Sequence, residues 1–166
     1  MLGLPARIPA DRVISEVVAL QARDGGATYN CYFGSLSGQK LYAVSLFPEV
    51  GRKLKGKVVS GDVLRTFLAD RQKLLRDPRC SVGTWYDGAS GCTYVDISAT
   101  LADKAQAVML GKRYNQISIF DLAALREIRT GGTGKALPGW PPVGRRLPKL
   151  PAARPALLPG QAVPAS

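Results

Sequence analysis

The sequence predicts an α+β domain of the ferredoxin-like, split βαβ kind, an antiparallel sheet of four to six strands carrying two helices on one face. Three observations predict it. Between Leu41 and Leu122, strand-like and helix-like segments succeed one another as β-α-β-β-α-β, the order of that motif. The helical stretches repeat apolar residues at three- and four-residue spacing, while the strand stretches are short and rich in β-branched and aromatic residues. The chain has 166 residues, 46% of them apolar and 21% charged, which suits one ordinary globular domain with room for a tail.

The elements follow in chain order. Residues 11–22 place Val13, Ile14, Val17, Val18 and Leu20 where either a short helix or a strand is possible. Pro9 before them and Gly25-Gly26 after them favour the helix. Residues 28–33 read as extended and 34–38 as a turn. Residues 41–47 are rich in strand formers and stop at Pro48. Residues 50–59 read as a basic loop carrying Arg52, Lys53, Lys55 and Lys57.

Ser60 then caps a helix over 60–76, with Asp62 in its first turn and Val63, Leu64, Phe67, Leu68, Leu74 and Leu75 on one face. Asp77-Pro78 ends it. Residues 80–86 and 92–98 flank the turn cluster Asp87-Gly88-Ala89-Ser90-Gly91 and predict a β-hairpin. Thr100 with Asp103 forms a variant capping box that opens a helix over 101–114, with Asn115 as its left-handed stop. Residues 116–122 are a further strand, and 126–130 a short last one.

Three regions result: an N-terminal segment over 1–27, an α+β core over 28–130, and a glycine hinge followed by a basic, proline-rich tail over 131–166. Eight of the twelve prolines lie between Pro138 and Pro164. Proline removes donors and fixes φ, so an extended, disordered tail is expected there. Charge divides along the same line. The net charge is +11, of which residues 128–166 supply six basic side chains and no acid. A basic excess favours acidic partners, nucleic acid or an acidic protein surface.

Histidine is absent, which removes Ser-His-Asp and Cys-His sites and imidazole acid-base chemistry. Cys31, Cys80 and Cys92 are widely spaced without a CxxC pair and read as reduced, buried thiols. GGTGKA at 131–136 is not a P-loop. Arg129 stands where the first glycine is required, and Ala136 follows the lysine where Ser or Thr is needed. No stretch approaches the length of a membrane span. No metal or cofactor is expected, no membrane partner either, and a cytoplasmic location is.

Alternation assigns faces. Tyr42, Val44, Leu46, Gly83, Trp85, Thr93, Val95, Ile97, Ile117 and Ile119 are expected toward the helices. The opposite face then carries the aromatics Phe47, Tyr86, Tyr94 and Phe120 among small polar residues. Aromatics on an open four-stranded sheet can stack bases, and the loop lysines and Arg52 can meet phosphates. The tail adds Arg145, Arg146 and Lys149, within an RxxPxxP pattern that also fits peptide-groove ligands. Against the nucleic-acid reading, no RNP1-type octamer occurs, and an aromatic face can equally serve a homodimer or another protein. Asp96, mid-strand in TYVDIS, needs a partner such as Ser45, Thr84 or a basic side chain, and is the candidate acid for a metal-dependent hydrolase or nuclease.

The strings YAVSLFPE (42–49), SVGTWYD (81–87), TYVDIS (93–98) and NQISIFDL (115–122) resemble small uncharacterised proteins of bacterial phages and mobile elements, over residues 28–134. The resemblance implies a bacterial or phage origin and a cytoplasmic accessory role, and brings no active site with it. The expected function is therefore a non-enzymatic binding protein that contacts nucleic acid or an acidic surface. A protein-interaction or inhibitor module is the second expectation, and an Asp96-dependent hydrolase or nuclease the third.

Overall fold

A computed structural model of the chain describes residues 3–48 and 50–135. Helix α1 spans Ala10–Asp24, starting after Pro9 and closed by Gly25 in the left-handed region at φ 76°. Strands β1 (Gly26–Asn30), β2 (Gly34–Ser35), β3 (Tyr42–Ser45) and β4 (Arg52–Lys55) follow. Helices α2 (Gly61–Asp70) and α3 (Gln72–Leu75) come next, then strands β5 (Cys80–Asp87) and β6 (Cys92–Leu101). Helix α4 (Lys104–Arg113) and strands β7 (Ser118–Asp121) and β8 (Arg126–Arg129) complete the chain's described elements. The architecture is α+β, a sheet whose paired neighbours are all antiparallel, with four helices among the described residues.

The strand order is β2-β1-β5-β6-β3-β7-β8, with β4 also paired to β6. Strand β6 is the longest, and both its edges are used. One edge carries β5 along eight residue pairs, from Cys80↔Ala99 to Asp87↔Cys92. The other is shared by β4, opposite residues 92–95, and β3, opposite residues 98–101. The sheet ends in a two-residue strand on one side and the charged Arg-Glu-Ile-Arg strand on the other, both features that discourage edge-to-edge pairing.

Local chemistry sets the helices. The Ser60 hydroxyl accepts from the Val63 N–H at 3.2 Å and starts α2 as expected. The run over 60–76 divides at Arg71 (φ −114°, ψ 15°) into α2 and the single turn α3. Two expectations are corrected. Thr100 does not cap a helix, because β6 continues through it to pair with Ala43 of β3. Asp103 is the cap instead, its carboxylate accepting from the Gln106 N–H at 2.8 Å. The basic stretch is not a loop either: Arg52–Lys55 pairs with β6, since exposed lysines are compatible with an edge strand. Asn115 takes the expected left-handed conformation at φ 55°.

One face of the sheet holds the main core. Val44, Leu46, Val82, Val95, Ile97, Ala99 and Ile119 meet Val13, Ile14 and Val17 of α1, Leu64 and Phe67 of α2, and Ala107 and Leu110 of α4. The N-terminal helix thus joins the helical layer and leaves the opposite face uncovered. A smaller cluster of Phe33, Leu36, Leu41, Ala43 and Leu122 closes one end of that second face. Phe47, expected on the open face, is buried in the main core at 4% exposure. Its chain has left the strand by then, since β3 ends at Ser45, so alternation no longer sets its direction. Residues beyond 135, including Arg145, Arg146 and Lys149, lie outside the described residues.

Helix α4 approaches β7 through a glycine. A Cβ on Gly111 would stand 2.7 Å from the Ile119 side chain and 3.0 Å from that of Thr130. Gly111→Ala sets a helix-propensity gain of about 1 kcal/mol against an overpacking cost of roughly 1–3 kcal/mol. The expected result in urea unfolding is a net destabilisation of about 1 kcal/mol. A gain in stability would mean that Ile119 and Thr130 yield freely.

Candidate nucleic-acid interface

The β5–β6 register decides what the open face displays. Directly opposed residues share a face, so Gly83 shares one with Asp96, Trp85 with Tyr94, and Ser81 with Ser98. Ser45 of β3 stands opposite Ser98, Thr28 of β1 opposite Gly83, and Lys53 of β4 opposite Tyr94. Along β6 the floor therefore reads Tyr94, Asp96, Ser98 and Thr100, at about 7 Å intervals. Phe120 lies beyond Ala43 at the closed end. Except for Ser81 and Thr100, which are buried, these residues line a groove of about 910 Å³, toward the upper end of the roughly 300–1,000 Å³ usual for ligand sites.

This register corrects the expected faces of β5. Gly83 and Trp85 were expected toward the helices. Instead Val82, Thr84 and Tyr86 point to that side, opposite Ile97, Val95 and Thr93. The size of Trp85 favours a core position, but four residues separate Asp87 from Cys92, and that loop fixes the pairing. A one-residue slip would exchange every side chain between faces. Tyr86 is consequently not beside Tyr94, although it stays half-buried near the groove mouth with the Lys57 ammonium 5.8 Å from its ring centre. Thr84, a suggested partner of Asp96, lies on the other face, with its hydroxyl buried and unpartnered.

The aromatic end is a built contact. Trp85 and Tyr94 stack with ring centres 5.6 Å apart and an interplanar angle of 23°. The Lys53 ammonium lies 5.6 Å from the Tyr94 ring centre. Both aromatic side chains are half-buried, so ring surface remains open to the groove. Lys57 and Lys135 also line it. Lys55 shares the Lys53 side of β4 by register without lining the groove, whereas Arg52 lines it although its register position opposite Val95 is on the helical side. Arg23, at the rim, is already bound to Asp24 by paired bonds of 2.8 Å.

Asp96 is the acid in the floor. The Ser98 hydroxyl donates to its Oδ1 at 3.2 Å, and the Ser45 hydroxyl donates as well. Burial pushes the carboxyl up to about 6, against the pull of those two hydroxyls. Gly83 is what lets it lie there. A Cβ at that position would stand 2.5 Å from Asp96 Oδ1 and 3.0 Å from Ser98 Oγ. Among the described residues no lysine or arginine forms an ion pair with Asp96. Asp87 and Asp121 have turn-forming duties instead, accepting from the backbone N–H groups of Ala89 and of Ala123 and Ala124.

None of the three thiols lines the groove. Cys31 and Cys80 are buried, and burial pushes the Cys80 thiol up to about 12. Cys92 stands at the far end of the hairpin from Cys80. Among the described residues no group of three or more Cys, Asp or Glu side chains converges to hold a metal ion, and no helix is long and apolar enough to cross a membrane. No protein-family model, curated protein or solved structure matches the chain.

Trp85 and Gly83 are the site residues that alternation alone misses. The available signal was the hairpin loop count, which puts a glycine opposite a mid-strand acid. The raised Asp96 carboxyl has a stability consequence. The folded state holds that proton more tightly than the unfolded chain, so wild type loses stability as pH rises from 3.8 to about 6. Asp96→Asn does not titrate there. Its stability relative to wild type should improve by roughly 1–3 kcal/mol between pH 4 and pH 7.5, read by urea unfolding at each pH. A constant difference would show that the carboxyl ionises as freely as in water.

Proposed function

We infer that this protein binds single-stranded nucleic acid across the open sheet face, without catalysing a reaction on it. The observation that carries the reading is the Trp85–Tyr94 stack with Lys53 over its edge, set in a groove lined also by Lys57 and Lys135. Stacking on aromatic side chains contributes about 1–3 kcal/mol per base and tolerates any sequence. Lysines beside the rings supply the phosphate contacts that give such binding its salt dependence. The basic residues Arg145, Arg146 and Lys149, outside the described residues, add positive charge that favours the same partner.

The fold reading belongs with this proposal. The path β3, α2–α3, β5, β6, α4, β7 is a split βαβ core, supported by the spatial order β5-β6-β3-β7 with antiparallel neighbours. Strands β1, β2, β4 and β8 and helix α1 are additions around it. In that arrangement the face away from the helices is the natural platform for an extended strand. An accessory role for a phage or mobile element, in the cytoplasm, fits the resemblance of residues 28–134 and a binding rather than a catalytic surface.

Titration of Trp fluorescence or of a labelled oligonucleotide tests the proposal. Trp85→Ala should weaken binding by about thirtyfold, the middle of the stacking range. Lys53→Gln should weaken it and reduce the slope of log affinity against log salt by roughly 0.7, the value for one phosphate of a single strand. Arg145, Arg146 and Lys149 replaced together should lower the slope further and weaken all sequences alike. No binding to any single strand at low ionic strength would overturn the reading. Scattering that finds the groove closed in a homodimer would replace it with the protein-interaction alternative.

A further inference from the structure

Among the described residues Asp96 has no ion-pair partner, yet two serine hydroxyls and a glycine hold it. An ionised carboxylate offers about four lone-pair sites and no donor. The Ser98 and Ser45 hydroxyls donate to it. Gly83, opposite it on β5, carries no side chain to cover it. The nearby ammonium groups lie elsewhere, that of Lys53 over Tyr94 and that of Lys57 over Tyr86. Acceptor capacity therefore remains on the carboxyl of a half-buried residue that lines the groove. Leaving such capacity unused in a partly dry site costs free energy.

The position of that acceptor limits what can meet it. Asp96 is two residues from Tyr94 on one face of β6, and Gly83 two residues from Trp85 on the same face. Asp96 therefore stands about 7 Å along the strand from the aromatic pair, within reach of the edge of a base lying against those rings. We propose that Asp96 is a specificity-determining residue that accepts hydrogen bonds from the exocyclic amino group of a base, so that the groove prefers cytosine and adenine to thymine and uracil. A carboxylate accepts from cytosine N4 in this way. Thymine and uracil place a carbonyl oxygen at the corresponding position, where it faces an acceptor with no proton between them. The inference rests on the sheet-face reading and adds to it a base preference that stacking and phosphate contacts do not supply.

The test uses the full chain at neutral pH and competes short single-stranded homopolymers of dC, dA and dT against one labelled strand. The expected result is that dC and dA bind about fivefold or more tightly than dT, the lower end of discrimination by a good base contact. Asp96→Asn offers both a donor and an acceptor, so it should bring the three strands to within about twofold while still binding dT. Asp96→Ala is the second variant and should lose the preference in the same way. Equal affinity of wild type for all three strands would overturn the inference and leave single-strand binding intact. So would a preference that survives in both variants, because another residue would then read the base. Failure of every strand to bind wild type would overturn the single-strand reading and this inference with it.

Discussion

The ladder between β5 and β6 is the constraint on which the other elements depend. Its eight residue pairs are set by the four-residue connection from Asp87 to Cys92, and each pair fixes which side chains share a face. The same strand then presents its other edge to β3 and β4 together. Because β6 is ten residues long, two short strands fit end to end along it, with the chain from Leu46 to Gly51 passing between them. Any one-residue slip of the hairpin would move Val82 of β5 out of register with Val95 and Ile97 of β6, exposing apolar surface on the groove side.

From that ladder follows a division of labour between faces. The helical side receives an aliphatic set dense enough to be sealed by α1, α2 and α4, with Val44, Leu46, Val95 and Ile97 fully buried. The groove side receives aromatic, acidic and hydroxyl groups in sequence along β6. Only its far end is sealed, by Phe33, Leu36 and Leu41 from the β1–β3 connection. Polar groups on a covered face would each need a partner. Here Asp96 has its two serine partners, while Ser98 and Thr100 are themselves buried and the half-buried aromatic rings remain open to the groove.

Parts of this were legible residue by residue. Ser60, Asn115 and the Asp87–Gly91 turn act within a few residues of themselves, and each behaves in the fold as its local chemistry requires. Tyr94 and Asp96 were placed on the right face because β6 alternates cleanly between Thr93, Val95 and Ile97 and their polar neighbours. Trp85, Gly83 and Phe47 were not. Strand β5 alternates Val82 and Thr84 with Gly83 and Trp85, and neither set is decisively more apolar than the other. Phe47 lies past the end of its strand, where a period of two has no meaning. Thr100 failed as a cap for a related reason: its side chain suits a strand as well as a cap, and pairing with Ala43 decided between them.

The sequence alone determined most of the inventory: the helices and the strands other than β2 and β4 near their final positions, a hairpin at 87–91, separated thiols, no imidazole chemistry, and a basic charge concentrated toward the C-terminus. Those properties depend on composition or on interactions spanning a few residues, where the side chains themselves carry the information. The tertiary structure alone decided which groups meet: Trp85 with Tyr94, Lys53 above them, Gly83 beneath Asp96, and α1 on the helical side instead of across the groove. These are choices between pairings of nearly equal local merit. They are resolved by loop length, by the shared edge of β6 and by burial of the aliphatic face, energies that exist only once distant segments are in contact.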